Sequence, residues 1–144
     1  MLTRFLYPVD LIPQDDGGFV VIFPDIPEAL TEGDDRADAL AEASDCLAEA
    51  LAGRIRSKKK FPTPSPAHDR PLVGPDPVIA AKAALYQTLA EAGITQVELG
   101  RRMGVSEVEV RRLLDPRHNS KIGRLDGALA ALGKRVILEV RDVA

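Results

Sequence analysis

Apolar residues recur along this chain with two different periods, and the change from one to the other organises it. Phe5 to Ile12 and Phe19 to Phe23 are rich in β-branched and aromatic residues, which favour a pleated, half-buried strand. Between them Asp15-Asp16-Gly17-Gly18 predicts a hairpin, because glycine accepts positive φ. The turn-forming Pro24-Asp25-Ile26-Pro27 follows, and a short third strand is expected around Ala29 to Thr31. The period then becomes helical. From about Asp35 to Arg56, residues Ala37, Leu40, Ala41, Ser44, Leu47, Ala48, Leu51 and Ile55 repeat at the i, i+3, i+4, i+7 spacing of one buried face. Asp34, Asp35 and Asp38 at its start and Arg54, Arg56 and Lys58 at its end suit the helix dipole. A hairpin, a third strand and one covering helix make a small two-layer α+β domain.

Six of the eleven prolines fall between Pro62 and Pro77, a density that stops helices and stiffens the chain. This predicts a domain at 1–61, a linker at 62–77 within which Arg70 to Val73 can add one edge strand, and a second domain at 78–144. The second domain is helical. Val78 to Ala92 forms a helix ended by Gly93, and Ile122 to Leu132 a closing helix with Leu125, Leu129 and Leu132 inward, stopped by Gly133. Between them, TQVELGRRMGVSEVEVRRLLD (Thr95 to Asp115) predicts two short helices joined at Gly104, with Leu99, Met103, Val105, Val110 and Leu113 apolar where such a pair needs them. Ser106 is placed to cap the second helix, with Glu109 completing a capping box. The spacing is that of a DNA-reading helix-turn-helix, in four or five short helices that resemble the Cro/phage-repressor arrangement; an αα-hairpin of a helical bundle would share the Gly turn and the periodicity.

The tail departs from this pattern. Arg135 to Val140 alternates like a strand, with Val136, Leu138 and Val140 on one face. An unpaired apolar edge invites association. Pairing with the same strand of a second chain, through Val136, Ile137, Leu138 and Val140, gives a two-fold homodimer; docking on the front-domain sheet is the competing resolution.

Charge sharpens the division. The chain of 144 residues carries a formal net charge of −3, but residues 1–76 hold eight Lys/Arg and fourteen Asp/Glu, whereas residues 77–144 hold eleven and eight. The basic half suits DNA, and the acidic half suits a basic partner. With 45% apolar residues, no continuous span long enough for a bilayer, no secretory leader pattern in MLTRFLYPVD and a single cysteine, Cys46, the expectation is a cytoplasmic protein with no disulfide and no membrane partner.

Asp10, Asp16, Asp25 and Asp34 raise the possibility of a metal-dependent nuclease. Turn and loop positions explain these aspartates, and no nucleophile–base set, phosphate-cradling glycine loop or metal-ligand spacing occurs, His68 included. No enzyme activity, metal or cofactor is expected. For DNA, Gln96 at the start of the first helix is placed to hold a phosphate, while Ser106, Glu107, Glu109 and Arg111 occupy the face of the second helix toward the groove. Arg111 can donate to guanine and a carboxylate can accept from cytosine. Arg112, Arg117, His118, Asn119 and Lys121 form a polar, basic cluster suited to positioning contacts with the backbone; His118 serves equally well as a loop side chain bonding main chain.

The segment YPVDLIPQDDGGFVVIFPDIPEALTEGDDRADALAEASDCLAEAL resembles the HicB antitoxin family, and AAKAALYQTLAEAG with RRLLDPRHNSKIGRLDGALAALGKRVILEV resembles its helix-turn-helix subgroup. The resemblance spans nearly the whole chain, with FPDIPEALTEGD and RLLDPRHNS its specific parts. It implies a truncated ribonuclease-H-like front domain without nuclease activity, which covers the catalytic surface of a HicA-type toxin, an mRNA-cleaving ribonuclease. It further implies a rear domain that represses its own operon by binding operator DNA. The recognition helix is more acidic than that family would lead one to expect. No motif specifies the toxin contacts; Tyr7, Asp10, Phe19 and Asp25, near the hairpin and the Pro24–Pro27 loop, are the candidates. The alternative is a free-standing helix-turn-helix transcriptional regulator whose front domain binds a small ligand or dimerises.

Overall fold

The structure, a computed structural model, describes residues 4–143. Five short strands and five helices follow in the order β1 (Tyr7–Pro8), β2 (Asp10–Pro13), β3 (Phe19–Ile22), β4 (Leu30–Gly33), α1 (Arg36–Arg56), β5 (Leu72–Val73), α2 (Pro77–Ala92), α3 (Gln96–Met103), α4 (Glu107–Leu114) and α5 (Ile122–Ala130). The class is α+β. Two compact units arise, one from the chain up to Arg54 with Phe61–Asp76, the other from Ile55–Lys60 with the chain from Pro77 onward.

In the first unit β2, β3 and β4 form an antiparallel meander. Asp10 pairs with Ile22 and Pro13 with Phe19; on the other side of β3, Phe19 pairs with Gly33 and Ile22 with Leu30. Gly17 takes φ 89° in the β2–β3 turn, and the Asp16 carboxylate accepts the Gly18 N–H at 2.9 Å. The strand expected over Phe5 to Ile12 divides at Val9, because Pro8 offers no N–H to continue a ladder. The Val9 N–H instead donates to Pro71 O at 3.0 Å, and β1 pairs with β5. The third strand lies slightly later than expected.

α1 begins with reciprocal capping: Asp35 accepts from the Asp38 N–H, and Asp38 from the Asp34 N–H, both at 2.8 Å. Its buried face is rotated from the expected one. Ala39, Leu40, Ala43, Leu47, Leu51, Ala52 and Ile55 are buried, whereas Ala37 and Ala41 are exposed. The leucines fix the stripe, and the alanines fall on either side of it. Cys46 is half-buried and its thiol donates to Leu30 O at 3.7 Å; burial raises its pKa.

The proline-rich stretch expected as a linker is built into the first unit. Tyr7 Oη donates to Pro62 O at 2.8 Å, and Ser44 Oγ to Gly74 O at 2.7 Å. Asp25 accepts from both the N–H and the hydroxyl of Ser65, and the Phe5 and Phe61 rings meet edge to face at 5.6 Å. Prolines forbid helix here without preventing extended chain from packing.

The second unit is a helical cluster. Ala81, Leu85, Leu89, Leu99, Val110, Leu113, Leu114, Leu125, Ala128 and Leu129 form its buried core. α5 ends at Ala130, two residues earlier than expected, and Leu132 packs from the following turn. The expected strand at Arg135 to Val140 is not formed: residues 134–143 have no regular secondary structure. Val136 does not share a face with Leu138 and Val140 either. It is partly buried against the helical core, and its N–H donates to Asp126, which also pairs with Arg135 at 3.0 Å. Ile137, Leu138 and Val140 are 81%, 72% and 88% exposed. A strand needs a second edge for its hydrogen bonds, and residues 134–143 take part in neither sheet of the structure.

Candidate nucleic-acid interface

α3 and α4 are short helices whose ends are fixed by their own residues. Thr95 precedes α3 in extended conformation and its hydroxyl accepts the Glu98 N–H at 3.1 Å; Ser106 does the same for α4, accepting the Glu109 N–H at 3.2 Å. Between them Gly104 takes φ 69°, ψ 31°, in the left-handed region. The Val105 N–H reaches back to Gly100 O at 2.9 Å and the Gly104 N–H to Arg101 O at 3.3 Å, the two bonds of a Schellman ending. The reversal brings backbone close to α3: a Cβ on Gly100 would lie 2.8 Å from Val105 O. Leu99 from α3 and Val110, Leu113 and Leu114 from α4 enter the common core.

The outer faces differ in charge. On α3, Glu98 accepts from Arg101 at 2.7 and 2.8 Å and from Arg102 at 3.0 Å. These hydrogen bonds hold its carboxyl down at about 2, so both arginines are matched locally. On α4, Glu109 does not close the expected capping box; its carboxylate pairs with Arg124 of α5. Arg111 and Arg112 are exposed, with no acidic partner among the described residues. Together with Val108 and Asp115 they line an open hollow of about 380 Å³.

The remaining candidates surround this face. Gln96 occupies the first position of α3 and is half-buried, and Glu107 is exposed at the first turn of α4. After α4, Asp115 organises a turn: its carboxylate accepts the Arg117 N–H at 2.9 Å and its carbonyl the His118 N–H at 3.1 Å. Arg117, Asn119 and Lys121 are exposed, and Lys121 supplies its carbonyl, not its side chain, to the start of α5. His118 Nδ1 lies 3.2 Å from Ser120 Oγ.

That contact leads to a residue missing from the sequence candidates. Lys82 on α2 is fully buried, and its ammonium donates to Arg112 O (3.0 Å), Leu113 O (3.1 Å) and Ser120 Oγ (2.8 Å). Two of these acceptors are carbonyls of the last turn of α4, where the helix dipole favours a cation. Burial lowers the Lys82 pKa, with the charge of Asp115 opposing the shift. Lys82 therefore ties the end of α4 and the 115–120 turn to α2. The sequence carried one sign of it: Lys82 shares the stripe of Val78, Leu85 and Leu89, where a solvated lysine would not belong.

The first unit brings its four candidates to no common surface. Tyr7 is fully buried, and burial pushes its hydroxyl up to about 12 against the lowering charge of Arg54; it is a core residue, contrary to the expectation of a partner contact. Asp25 is consumed by Ser65. Asp10, half-buried and 3.7 Å from Arg70, and Phe19, also half-buried, stand at opposite ends of the hairpin. Among the described residues no group of three His, Cys, Asp or Glu is placed to hold a metal ion, and no helix is long and apolar enough to cross a membrane.

Residues 6–84 match the model of the family described as the HicB_like antitoxin of bacterial toxin-antitoxin systems. Antitoxin HicB 1 of Photorhabdus laumondii subsp. laumondii is 40% identical over 145 residues, covering 97% of this chain and 90% of that protein. Antitoxin HicB of Escherichia coli is 40% identical over 134 residues, covering 92% and 96%, and that of Pseudomonas fluorescens 33% identical over 140, covering 96% and 95%. This chain belongs to the HicB-like antitoxin family. Its role is that of an antitoxin in a toxin-antitoxin system. The family match covers most of the first unit and ends within α2, before α3 and α4, whereas the relatives extend along nearly the whole chain.

Proposed function

We propose that this antitoxin has two binding sites. The first unit covers the active surface of a HicA-type, mRNA-cleaving ribonuclease toxin. The second reads operator DNA through α3 and α4 and represses the operon that encodes both proteins. The observation that carries the DNA reading is the Schellman turn at Gly104, which sets α4 across α3 and leaves Arg111 and Arg112 unmatched on its outer face. In a helix-turn-helix that face enters the major groove. Ser106, Glu107 and Gln96 border it, and Arg117, His118, Asn119 and Lys121 supply positioning contacts to the phosphates. The meander β2–β4 followed by α1 supports a truncated ribonuclease-H-like fold for the first unit, with inhibition by occlusion and charge, not by catalysis.

The exposed Ile137, Leu138 and Val140 support pairing of the tail with a second copy, which would present two recognition helices to half-sites about one helical turn, ~34 Å, apart. Co-expression with the adjacent reading frame tests the first site: growth is rescued if the chain neutralises that product. Titration of the upstream DNA with the full-length protein tests the second: affinity falls steeply with salt. Unrelieved toxicity refutes the first assignment, and binding no tighter than to scrambled DNA refutes the second.

A further inference from the structure

α4 has one apolar residue that its own fold does not use. Val110, Leu113 and Leu114 enter the core, while Val108 is 46% exposed and is not among the residues packed against that core. Helical spacing sets Val108 one turn before Arg111 and Arg112, on the same face, and these three with Asp115 line the open hollow of about 380 Å³. An aliphatic group one turn from two unmatched guanidinium groups, on the same hollow, suits a surface that is anionic and yet has apolar spots. The major groove is such a surface: phosphates and guanine acceptors for the arginines, and a single kind of apolar feature, the C5 methyl of thymine. Of the nearby carboxylates, Glu109 is turned to Arg124, Asp115 at the rim of the hollow accepts the Arg117 N–H, and Glu107 is exposed beside Val108 in the first turn, so two guanidinium groups still face the ligand.

We infer that Val108 is a specificity-determining residue that packs on a thymine methyl in the operator, beside bases or phosphates held by Arg111 and Arg112. The inference rests on the DNA-reading assignment made above and adds a base preference to it. It identifies what an apolar position contributes where arginines alone would favour guanine or any phosphate.

The experiment compares full-length protein on two duplexes of its upstream DNA, one natural and one made with deoxyuridine throughout, which keeps every hydrogen-bonding group and removes only the methyls. Wild type is expected to bind the uracil duplex about fourfold more weakly for each methyl buried against Val108. Val108→Ala, which places a better helix former at an exposed site and so folds, is expected to lose most of that ratio. Val108→Ile keeps it. Comparing ratios cancels any effect of uracil on duplex stiffness, as in a double-mutant cycle. Val97→Ala, at an exposed valine of α3 outside the hollow, keeps the wild-type ratio. An unchanged ratio in Val108→Ala, or an equal loss in Val97→Ala, overturns the inference while leaving DNA binding standing. Failure of wild type to prefer either duplex over scrambled DNA overturns both.

Discussion

Replacing Lys82 with Met tests whether α4 is held from behind. Methionine matches the length of the lysine stem and fills its space, so the change removes the ammonium with little change in packing. Three hydrogen bonds disappear. Arg112 O keeps the Asp115 N–H at 3.3 Å and Ser120 Oγ at 3.4 Å, so the main orphan is the Leu113 carbonyl. An orphaned buried acceptor costs about 1–3 kcal/mol, and losing a cation at a helix C-terminus adds roughly 0.5–1 kcal/mol. Sparing the burial of an ammonium offsets part of this. The net loss is about 2 kcal/mol, which for a unit of this size lowers its melting temperature by roughly 8–16 °C.

Thermal unfolding followed by circular dichroism reads the loss, and amide exchange in α2 and α4 locates it. The pH dependence has a definite sign. Burial lowers the folded-state pKa of Lys82, so between that value and the ordinary lysine value the unfolded chain binds a proton that the folded chain lacks. Stability contributed by this group therefore rises with pH across the window and is flat below it. Lys82→Met abolishes the rise. A variant at least as stable as wild type would show that desolvation outweighs the three bonds and refute the idea of a brace.

Other substitutions separate the two units. Arg111→Ala with Arg112→Ala is expected to abolish operator binding in a mobility-shift assay while leaving growth rescue by the first unit intact; joint loss refutes the division of labour. Gly100→Val places a Cβ 2.8 Å from the Val105 carbonyl, and the forced shift, about 1–3 kcal/mol, should weaken DNA binding through the fold and show in the melting of the second unit. Gly33→Ala sets a Cβ 2.3 Å from Ala39 N at the start of α1, so the first unit should lose stability by a similar or larger amount and co-expression rescue should fail on warming. Ending the chain after Val136 removes Ile137, Leu138 and Val140; the proposed tail pairing is expected to show in light scattering as a dimer for the full chain and a monomer for the shortened one.

What could be read from the sequence was what local chemistry decides. The β2–β3 turn announced itself through Gly17 and Gly18, and the α3–α4 reversal through Thr95, Gly104 and Ser106, because caps and left-handed turns act within four residues. The face of α1 was harder to place. Leu40, Leu47 and Leu51 set its direction only loosely, and alanines at 37, 39, 41, 43 and 48 surround the helix with side chains too small to carry phase. By sequence the 62–77 segment resembles a linker because its closures are remote: Asp25 meets Ser65 across forty residues, and Pro62 and Gly74 contribute only carbonyls. Alternation in the tail predicted one apolar face and a strand, but Val136 packs on the helical core while Leu138 and Val140 stay exposed, because alternation alone does not tell which apolar residue a neighbouring core will take.

The same distinction explains which residues of the candidate interface carry its character. By sequence, α3 and α4 present three glutamates and four arginines, and a tally of charges makes the pair look poorly suited to a polyanion. Geometry removes most of them from the count. Glu98 holds Arg101 and Arg102, and Glu109 is matched by Arg124, fifteen residues on. What stays unmatched is Glu107 at the entrance to α4 and, one turn further along, Arg111 and Arg112 beside Val108. The face that α4 offers is therefore basic with one apolar point, although its sequence is acidic at the start. Ion pairs that leave net charge unchanged decide its local sign, and within a Debye length of about 8 Å that local sign is what a phosphate or a base edge meets.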